Sequence, residues 1–361
     1  MKLLSAVTCT AFLTGAIAAV VAAPPMSEPN PLRVSMSAAQ AGRGTVEVTI
    51  TNTSNQTVRM PSWLLPSNVL QAKLFRVSRD GAPVQYEGPM IKRGLPTSAD
   101  FTILRAGESR RTVVDLSQAY DMRLGGQYTV TLASSTQHAS LSSGRMIQAR
   151  NGLPMPVQSA PLQLWVNGND STNFSRMASQ AKPAAGGTVV NGVSYVGCSS
   201  TQISGAGSAV VEARKYSENA KGYLASGTVG PRYTTWFGAY TSSRYGTASQ
   251  HFVNIDAALD QSGGQVKINC GCNQSYYAYV YPTRPYEIFV CRAFWSAPLT
   301  GTDSKAGTLI HETSHFNVVA GTDDHVYGQS GAKSLAISNP TNALDNADNH
   351  EYFAENKPAQ N

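Results

Sequence analysis

Three side chains that are able to hold a metal and move a proton stand close together near the C-terminal end of the sequence. They are His311, Glu312 and His315, in the segment H-E-T-S-H. On a helix, positions i and i+4 lie one turn apart on the same face, so both imidazoles can bind a single metal ion. Glu312 lies beside them and can take a proton from an attacking water. Because two histidines and a glutamate are costly to bury without partners, the pattern predicts a catalytic zinc site rather than an ordinary buried helix.

Catalytic zinc needs a third protein ligand and one position left open for water or substrate. Just beyond the presumed helix, which we expect to stop at Gly321, the chain offers Asp323, Asp324 and His325. Glu351, farther along on a later helix, is a fourth choice. The residue types and their spacing leave all four open.

The C-terminal part of the chain, residues 193–361, must position these groups. Apolar residues at helical spacing alternate with a few short apolar runs, which predicts an α+β, mainly helical domain. Its H-E-T-S-H segment resembles the motif of the zincins, which implies a zincin-type catalytic domain. The expected helices cover 208–224, 244–261, 308–319 and 342–355, and the expected strand pair covers 276–281 and 287–291.

The N-terminal part, residues 24–166, has a different pattern. Short runs rich in β-branched and aromatic residues are separated by Gly, Asn, Asp and Pro, which predicts an all-β sandwich of the immunoglobulin-like type. The expected strands cover 45–51, 74–77, 111–116, 127–132 and 162–166. We see no catalytic constellation in this region.

Two further segments have compositions of their own. Residues 1–23 begin with a basic residue, Lys2, continue with an apolar run and end in small residues. This pattern is typical of a secretory signal peptide. We therefore expect a secreted, extracellular protein with no membrane attachment once this segment is removed. Residues 167–192 are rich in Asn, Ser, Gly, Ala and Pro, which predicts an exposed linker that contains a processing site.

The formal net charge of +6 is unevenly distributed. The first 182 residues carry 17 Lys and Arg against 9 Asp and Glu, whereas the last 59 residues carry 3 against 8. A basic N-terminal half beside an acidic C-terminal end argues against a nucleic-acid-binding protein. It indicates instead that the two halves complement each other, or that the acidic end attracts basic substrates.

Five cysteines are present, and Cys9 is lost with the signal peptide. Cys198, Cys270, Cys272 and Cys291 remain. An even number in an exported chain predicts two disulfides. Of the three possible pairings, the one that joins Cys270 to Cys272 is disfavoured because it closes a strained ring.

The segment around the histidines resembles the aspzincin signature of the deuterolysin family, which is H-E-x-x-H followed by G-T-x-D-x-x-Y-G. In this chain the second part reads Gly321, Thr322, Asp324, Tyr327 and Gly328. The resemblance implies that Asp324 is the third ligand of one zinc ion per chain and that Tyr327 hydrogen-bonds the developing oxyanion. Asp323 and His325 fall at variable positions of the motif.

Over residues 194–361 the chain also resembles the peptidyl-Lys metalloendopeptidase branch, on the segments R-Y-T-T-W-F-G, Y-V-Y-P, A-F-W and N-A-D-N-H-E-Y-F. The resemblance implies that Asp348 and Glu351 bind the lysine that follows the scissile bond. Carboxylates at i and i+3 share a helix face and can clasp one ammonium, although a solvated acidic face has the same spacing. The branch also implies the disulfides Cys198–Cys270 and Cys272–Cys291.

Together these patterns predict a secreted zinc endopeptidase that cuts proteins and peptides before lysine. We expect it to be made as a proenzyme whose β region assists folding, inhibits the acidic cleft and is released by a cut near Ala181–Lys182. One alternative is a protease of broader specificity that acts on basic proteins. Another is an inert secreted binding protein with a merely structural metal site.

Overall fold

The structure is a computed structural model that describes residues 30–150, 152–168 and 187–360. The predicted signal peptide and the Ala181–Lys182 bond lie outside these residues. Within the described ranges, the search for a helix long and apolar enough to cross a membrane finds none.

The N-terminal region is β-rich, as predicted. The strands are β1 Leu32–Ala38, β2 Thr45–Asn52, β3 Val58–Pro61, β4 Phe75–Arg79, β5 Ala82–Pro83, β6 Met90–Lys92, β7 Phe101–Leu104, β8 Ser109–Asp115, β9 Gly126–Ser135, β10 Ser140–Leu141, β11 Pro156–Gln158 and β12 Leu162–Val166. All of these except β6 form three antiparallel sheets, with the orders β1-β2-β8, β10-β3-β7 and β11-β9-β4-β5, and β12 pairs with β9. Along β2 the side chains of Val46, Val48 and Ile50 are buried, because alternate residues face the core.

The C-terminal region is mainly helical, also as predicted. Its strands are β13 Thr188–Val190, β14 Val193–Val196, β15 Lys267–Asn269, β16 Ala278–Val280 and β17 Glu287–Val290. Its helices are α1 Ser200–Ala225, α2 Pro231–Phe237, α3 Ser242–Leu259, α4 Arg292–Ser296, α5 Lys305–Ser314, α6 Gly328–Ser338, α7 Pro340–Leu344 and α8 Ala347–Glu355. Residues 188–190, which fall inside the expected linker, therefore form an edge strand.

One sheet joins the two regions. Its six strands have the order β13-β14-β15-β17-β16-β6, so the short strand β6 of the N-terminal region lies on the edge of the C-terminal sheet. β6 runs antiparallel to β16, with Lys92 opposite Ala278 and Met90 opposite Val280. The disulfides Cys198–Cys270 and Cys272–Cys291, the pairs that the resemblance implies, fix the chain just beyond the ends of β14, β15 and β17.

The helix expected over 208–224 begins at Ser200, and two other predicted helices end or break earlier than expected. The helix expected over 308–319 ends at Ser314, and the chain then turns back so that the Thr322 amide bonds the Ser314 carbonyl. The helix expected over 342–355 is two helices, α7 and α8, with a break at Asp345 and Asn346. Both changes occur because the segment after Gly321 takes hydrogen-bond partners that a continuous helix would occupy.

Candidate active site

The first two site residues lie at the C-terminal end of α5, with His311 in its last turn and His315 as the C-cap residue immediately after it. This helix begins at an N-cap, Ser304, whose hydroxyl accepts a hydrogen bond from the Gly307 amide. His311 and His315 are completely buried, and their Nε2 atoms are 3.2 Å apart. Both imidazoles therefore present one nitrogen to the same point, as the i and i+4 spacing predicts.

Asp324 reaches that point from the segment that follows α5. Gly321 has a φ of 62°, a left-handed conformation that favours glycine, and it lets the chain reverse direction. The Asp324 Oδ1 atom lies 3.3 Å from the Nε2 of His311 and 3.4 Å from the Nε2 of His315. Tetrahedral zinc with bonds of about 2.0 to 2.1 Å separates its ligand atoms by about 3.3 to 3.4 Å, so the three atoms fit such an ion.

The other nitrogen of each imidazole, Nδ1, faces an oxygen atom of a neighbouring residue. The Nδ1 of His315 donates to the carbonyl of Thr322 at 2.7 Å, so Nε2 is unprotonated and has a lone pair available for a metal. The Nδ1 of His311 lies 2.9 Å from Asp348 Oδ1 and 3.3 Å from Glu351 Oε2. These are close contacts with carboxylate oxygens rather than aligned hydrogen bonds, and they favour the proton on Nδ1.

Glu312 is buried beside the three ligands, and among the described residues neither of its carboxylate oxygens has a hydrogen-bond partner. Burial raises its pKa to about 7, although the neighbouring histidines oppose the change. A carboxylate with a pKa near neutrality can both accept and return a proton at neutral pH. An unpaired buried carboxylate of this kind is expected where a water is to be bound.

The neighbours of Asp324 face elsewhere. Asp323 pairs with Lys73 of the N-terminal region, with 2.6 Å between Nζ and Oδ2. His325 Nε2 lies 2.8 Å from Asp345 Oδ2. Four residues were open as the third ligand. Among the described residues, Asp324 is the one of these four that has an oxygen within 3.4 Å of both Nε2 atoms.

A deep acidic pocket adjoins the metal ligands. It is formed by Asp348 and Glu351 on α8, and Lys92 from β6 fills it. The Lys92 Nζ atom is 2.6 Å from Glu351 Oε2 and 3.6 Å from Asp348 Oδ1, and the side chain is 1% exposed. Burial alone lowers the pKa of this ammonium, but the surrounding carboxylates outweigh it and hold the pKa well above its usual value.

Helices α5 and α8 pack closely enough to build this pocket because of Gly307. A Cβ atom at this position would overlap the carboxylate of Glu355 and lie 3.0 Å from Cγ of Glu351. Any larger residue at position 307 would push the last helix away from the metal ligands. The glycine therefore fixes the distance between the acidic pocket and His311.

The two carboxylates of α8 divide their contacts unequally. Glu351 is closer to Lys92 than to His311, whereas Asp348 is closer to His311. Asp348 also accepts a hydrogen bond from the Gly328 amide at 2.6 Å, which fixes it at the start of α6. The sequence interpretation gave both carboxylates the same role, and the geometry separates them.

Sequence reasoning did not find the other groups around the ammonium. Asp303 Oδ1 lies 3.5 Å from Lys92 Nζ, and the ring of Tyr277 lies 5.2 Å below it. Asp303 has a φ of 51° and accepts a hydrogen bond from the hydroxyl of Tyr352 at 2.8 Å. No motif marks Asp303 or Tyr277, so only the tertiary structure brings them to the pocket.

Tyr327 contacts β6, the strand whose Lys92 fills the acidic pocket. Its hydroxyl donates to the backbone carbonyl of Ile91 at 2.9 Å. Burial and the nearby Asp324 carboxylate raise the pKa of Tyr327 well above its usual value, so it stays a hydrogen-bond donor. The carbonyl that it binds belongs to the residue immediately before Lys92.

Two histidines and an aspartate around one point, with a buried glutamate beside them, form the type of site that metalloendopeptidases have. Residues 223–355 match the aspzincin family model, described as lysine-specific metallo-endopeptidase. An extracellular protease of Aeromonas hydrophila is 44% identical over 320 residues, which cover 88% of this chain and 89% of that protein.

Several relatives carry the name peptidyl-Lys metalloendopeptidase. That of Grifola frondosa is 35% identical over 328 residues, which cover 87% of this chain and 88% of the relative. That of Pleurotus ostreatus is 52% identical over 167 residues, which cover 46% of this chain and 98% of the relative. The chain therefore belongs to the aspzincin family of zinc metalloendopeptidases.

Proposed function

We propose that this protein is a secreted, zinc-dependent endopeptidase that hydrolyses the peptide bond on the N-terminal side of lysine. One observation carries the proposal: the ammonium of Lys92 is buried in the acidic pocket while the carbonyl just before it bonds Tyr327. A lysine side chain of a substrate would have the same partners. The names of the extracellular and peptidyl-Lys relatives support the same reading.

The residues of the chain have distinct roles in this proposal. His311, His315 and Asp324 hold one zinc ion, which supplies Lewis acidity to polarise the carbonyl and to activate water. Glu312 accepts the proton of the attacking water and returns it to the leaving nitrogen. Tyr327 donates a hydrogen bond to the carbonyl oxygen as it gains negative charge.

The specificity for lysine comes from charge buried in the pocket. A buried ammonium is stable only when carboxylates surround it, and Glu351, Asp348 and Asp303 supply them. A neutral side chain in the same pocket would leave these carboxylates without a counter-charge. The pocket therefore favours lysine both by attraction and by rejecting uncharged residues.

The β-rich region serves in this proposal as an inhibitory propeptide. Its strand β6 occupies the edge of the catalytic sheet, and Lys73 pairs with Asp323 beside the metal ligands. We assign residues 1–23 to the signal peptide, 24–166 to an immunoglobulin-like sandwich, 167–192 to a linker that is cut on maturation, and 193–361 to the peptidase. N-terminal sequencing of the mature enzyme tests the linker, since a start outside residues 167–195 would contradict it.

The catalytic assignment has a direct test. The Glu312→Gln variant should keep its zinc, because Glu312 is not a ligand, and should lose turnover of peptides that contain lysine. Zinc content by atomic absorption and the rate of cleavage of a quenched peptide give the two readouts. A Glu312→Gln variant that is as active as the wild type would refute the role of this residue.

A further inference from the structure

Strand β6 lies in the cleft in the orientation of a substrate. It runs antiparallel to β16, and Ile91 stands opposite Tyr279. The backbone carbonyl of Lys92 accepts a hydrogen bond from the Tyr277 amide at 3.0 Å. The peptide backbone is therefore held on both sides of the bond that joins Ile91 to Lys92.

That bond also has both chemical marks of a scissile bond. Its carbonyl oxygen belongs to Ile91 and bonds the Tyr327 hydroxyl, and its nitrogen belongs to the lysine that fills the acidic pocket. Glu312, with two unpaired oxygens, lies in the turn of α5 between the two histidines. An inhibitor that merely blocked the cleft would not need to place its lysine in this register.

We propose that the proenzyme cuts its own chain between Ile91 and Lys92, in addition to any cut in the linker. This inference rests on the proposed function and makes the β-rich region both the inhibitor and the first substrate. Water adds to the Ile91 carbonyl carbon, and the bond from that carbon to the Lys92 nitrogen breaks. Ile91 ends in a carboxylate, and the Lys92 nitrogen is the leaving group and takes up the proton that Glu312 returns.

The cut takes place within one molecule. Ile91 is 3% exposed and Lys92 is 1% exposed, so the active site of another copy has no access to the bond. Residues 24–166 contain only one other lysine, Lys73, which pairs with Asp323 instead. Ile91–Lys92 is therefore the one lysine bond of this region whose lysine fills the acidic pocket and whose carbonyl bonds Tyr327.

Cut chain should accumulate slowly because the products stay in place, where the bond can reform. Arg93, the next residue, stacks between the rings of Trp63 and Tyr276 and donates to the carbonyl of Gln71. With Lys92 in the pocket and Arg93 clamped, the new amine remains beside the new carboxylate and favours reformation of the bond. Inhibition therefore persists until the cut segment leaves the cleft.

The test follows the zinc-loaded proenzyme over time. A Lys182→Ala background keeps the linker bond before residue 182 uncut, and samples are quenched in acid and read by denaturing mass spectrometry. We expect a fragment that begins at Lys92, formed at a rate independent of protein concentration. In water labelled with oxygen-18, the label should appear in the Ile91 carboxylate.

Three variants serve as controls. Glu312→Gln should give no Lys92 fragment, even when active mature enzyme is added to it. Lys92→Met, which removes the ammonium and keeps the length, should abolish the fragment, whereas Lys73→Met should leave it unchanged. Formation of the fragment from Glu312→Gln by added enzyme would overturn the cut within one molecule.

The outcome separates this inference from the proposed function. If the matured enzyme cleaves Xaa-Lys peptides while every recovered β-region fragment retains an intact Ile91–Lys92 bond, the self-cut is refuted and the proposed function stands. If the matured enzyme cleaves no Xaa-Lys peptide, the proposed function itself fails.

Discussion

Replacing Glu351 with glutamine removes the negative charge that lies closest to the ammonium in the acidic pocket. The Glu351 oxygen lies 2.6 Å from the ammonium that fills the pocket, and both groups are buried. Breaking a buried ion pair costs about 3–5 kcal/mol, and about 1.4 kcal/mol is a tenfold change in rate. Because Asp303 and Asp348 remain 3.5 and 3.6 Å away, we expect the lower end of this range. Glu351→Gln should therefore lower kcat/KM about a hundredfold for peptides with lysine after the scissile bond.

The assay compares two peptides that differ at one position. One carries lysine after the scissile bond, and the other carries norleucine, which has the methylene chain without the ammonium. The ratio of their kcat/KM values should fall about a hundredfold in Glu351→Gln, and zinc content should stay near that of the wild type. Glu218→Gln, at an exposed glutamate that pairs with Lys221 on the surface, is the matched control. A ratio within about threefold of wild type in Glu351→Gln would refute the role of the buried charge.

Three further results are expected. Asp348→Asn should weaken zinc binding about 10- to 100-fold, since Asp348 lies 2.9 Å from His311; unchanged affinity in competition with a chelating dye would contradict this. Tyr327→Phe should lower kcat about 100- to 1,000-fold with zinc retained, and a rate near wild type would remove the residue from the mechanism. Burial lowers the pKa of His350 to about 3 from an ordinary 6.5, so the folded state keeps it neutral while the unfolded chain binds a proton below about pH 6.5. Stability should therefore fall as pH decreases from about 6.5 toward 3, and thermal unfolding of His350→Gln should show a shallower pH dependence.

The sequence was sufficient to predict the elements whose signals are local. The alternating residues of β2 and the helical spacing of α1 specify their own structure, and H-E-x-x-H specifies one face of α5. The break between α7 and α8 was missed because its cause is distant. The Asp323 amide bonds the Asp345 carbonyl, and the amides of His325 and Val326 bond the Asn346 side chain.

The lysine in the pocket was beyond sequence reasoning for the same reason. Lys92 and Glu351 are 259 residues apart in the chain and meet only because β6 extends a sheet of the other region. One signal was available: Lys92 is one of only two lysines in residues 24–166. For an enzyme predicted to bind lysine, a β-rich region so poor in lysine makes each of them a candidate occupant of the cleft.

A map of cleavage sites tests the central claim most directly. A denatured protein of known sequence is digested with the mature enzyme, with and without a zinc chelator, and the new N-termini are identified by mass spectrometry. We predict that nearly all new N-termini are lysine and that the chelator abolishes them until zinc is restored. New N-termini distributed over many residue types, or cleavage that persists in the chelator, would contradict a zinc enzyme whose specificity comes from the acidic pocket.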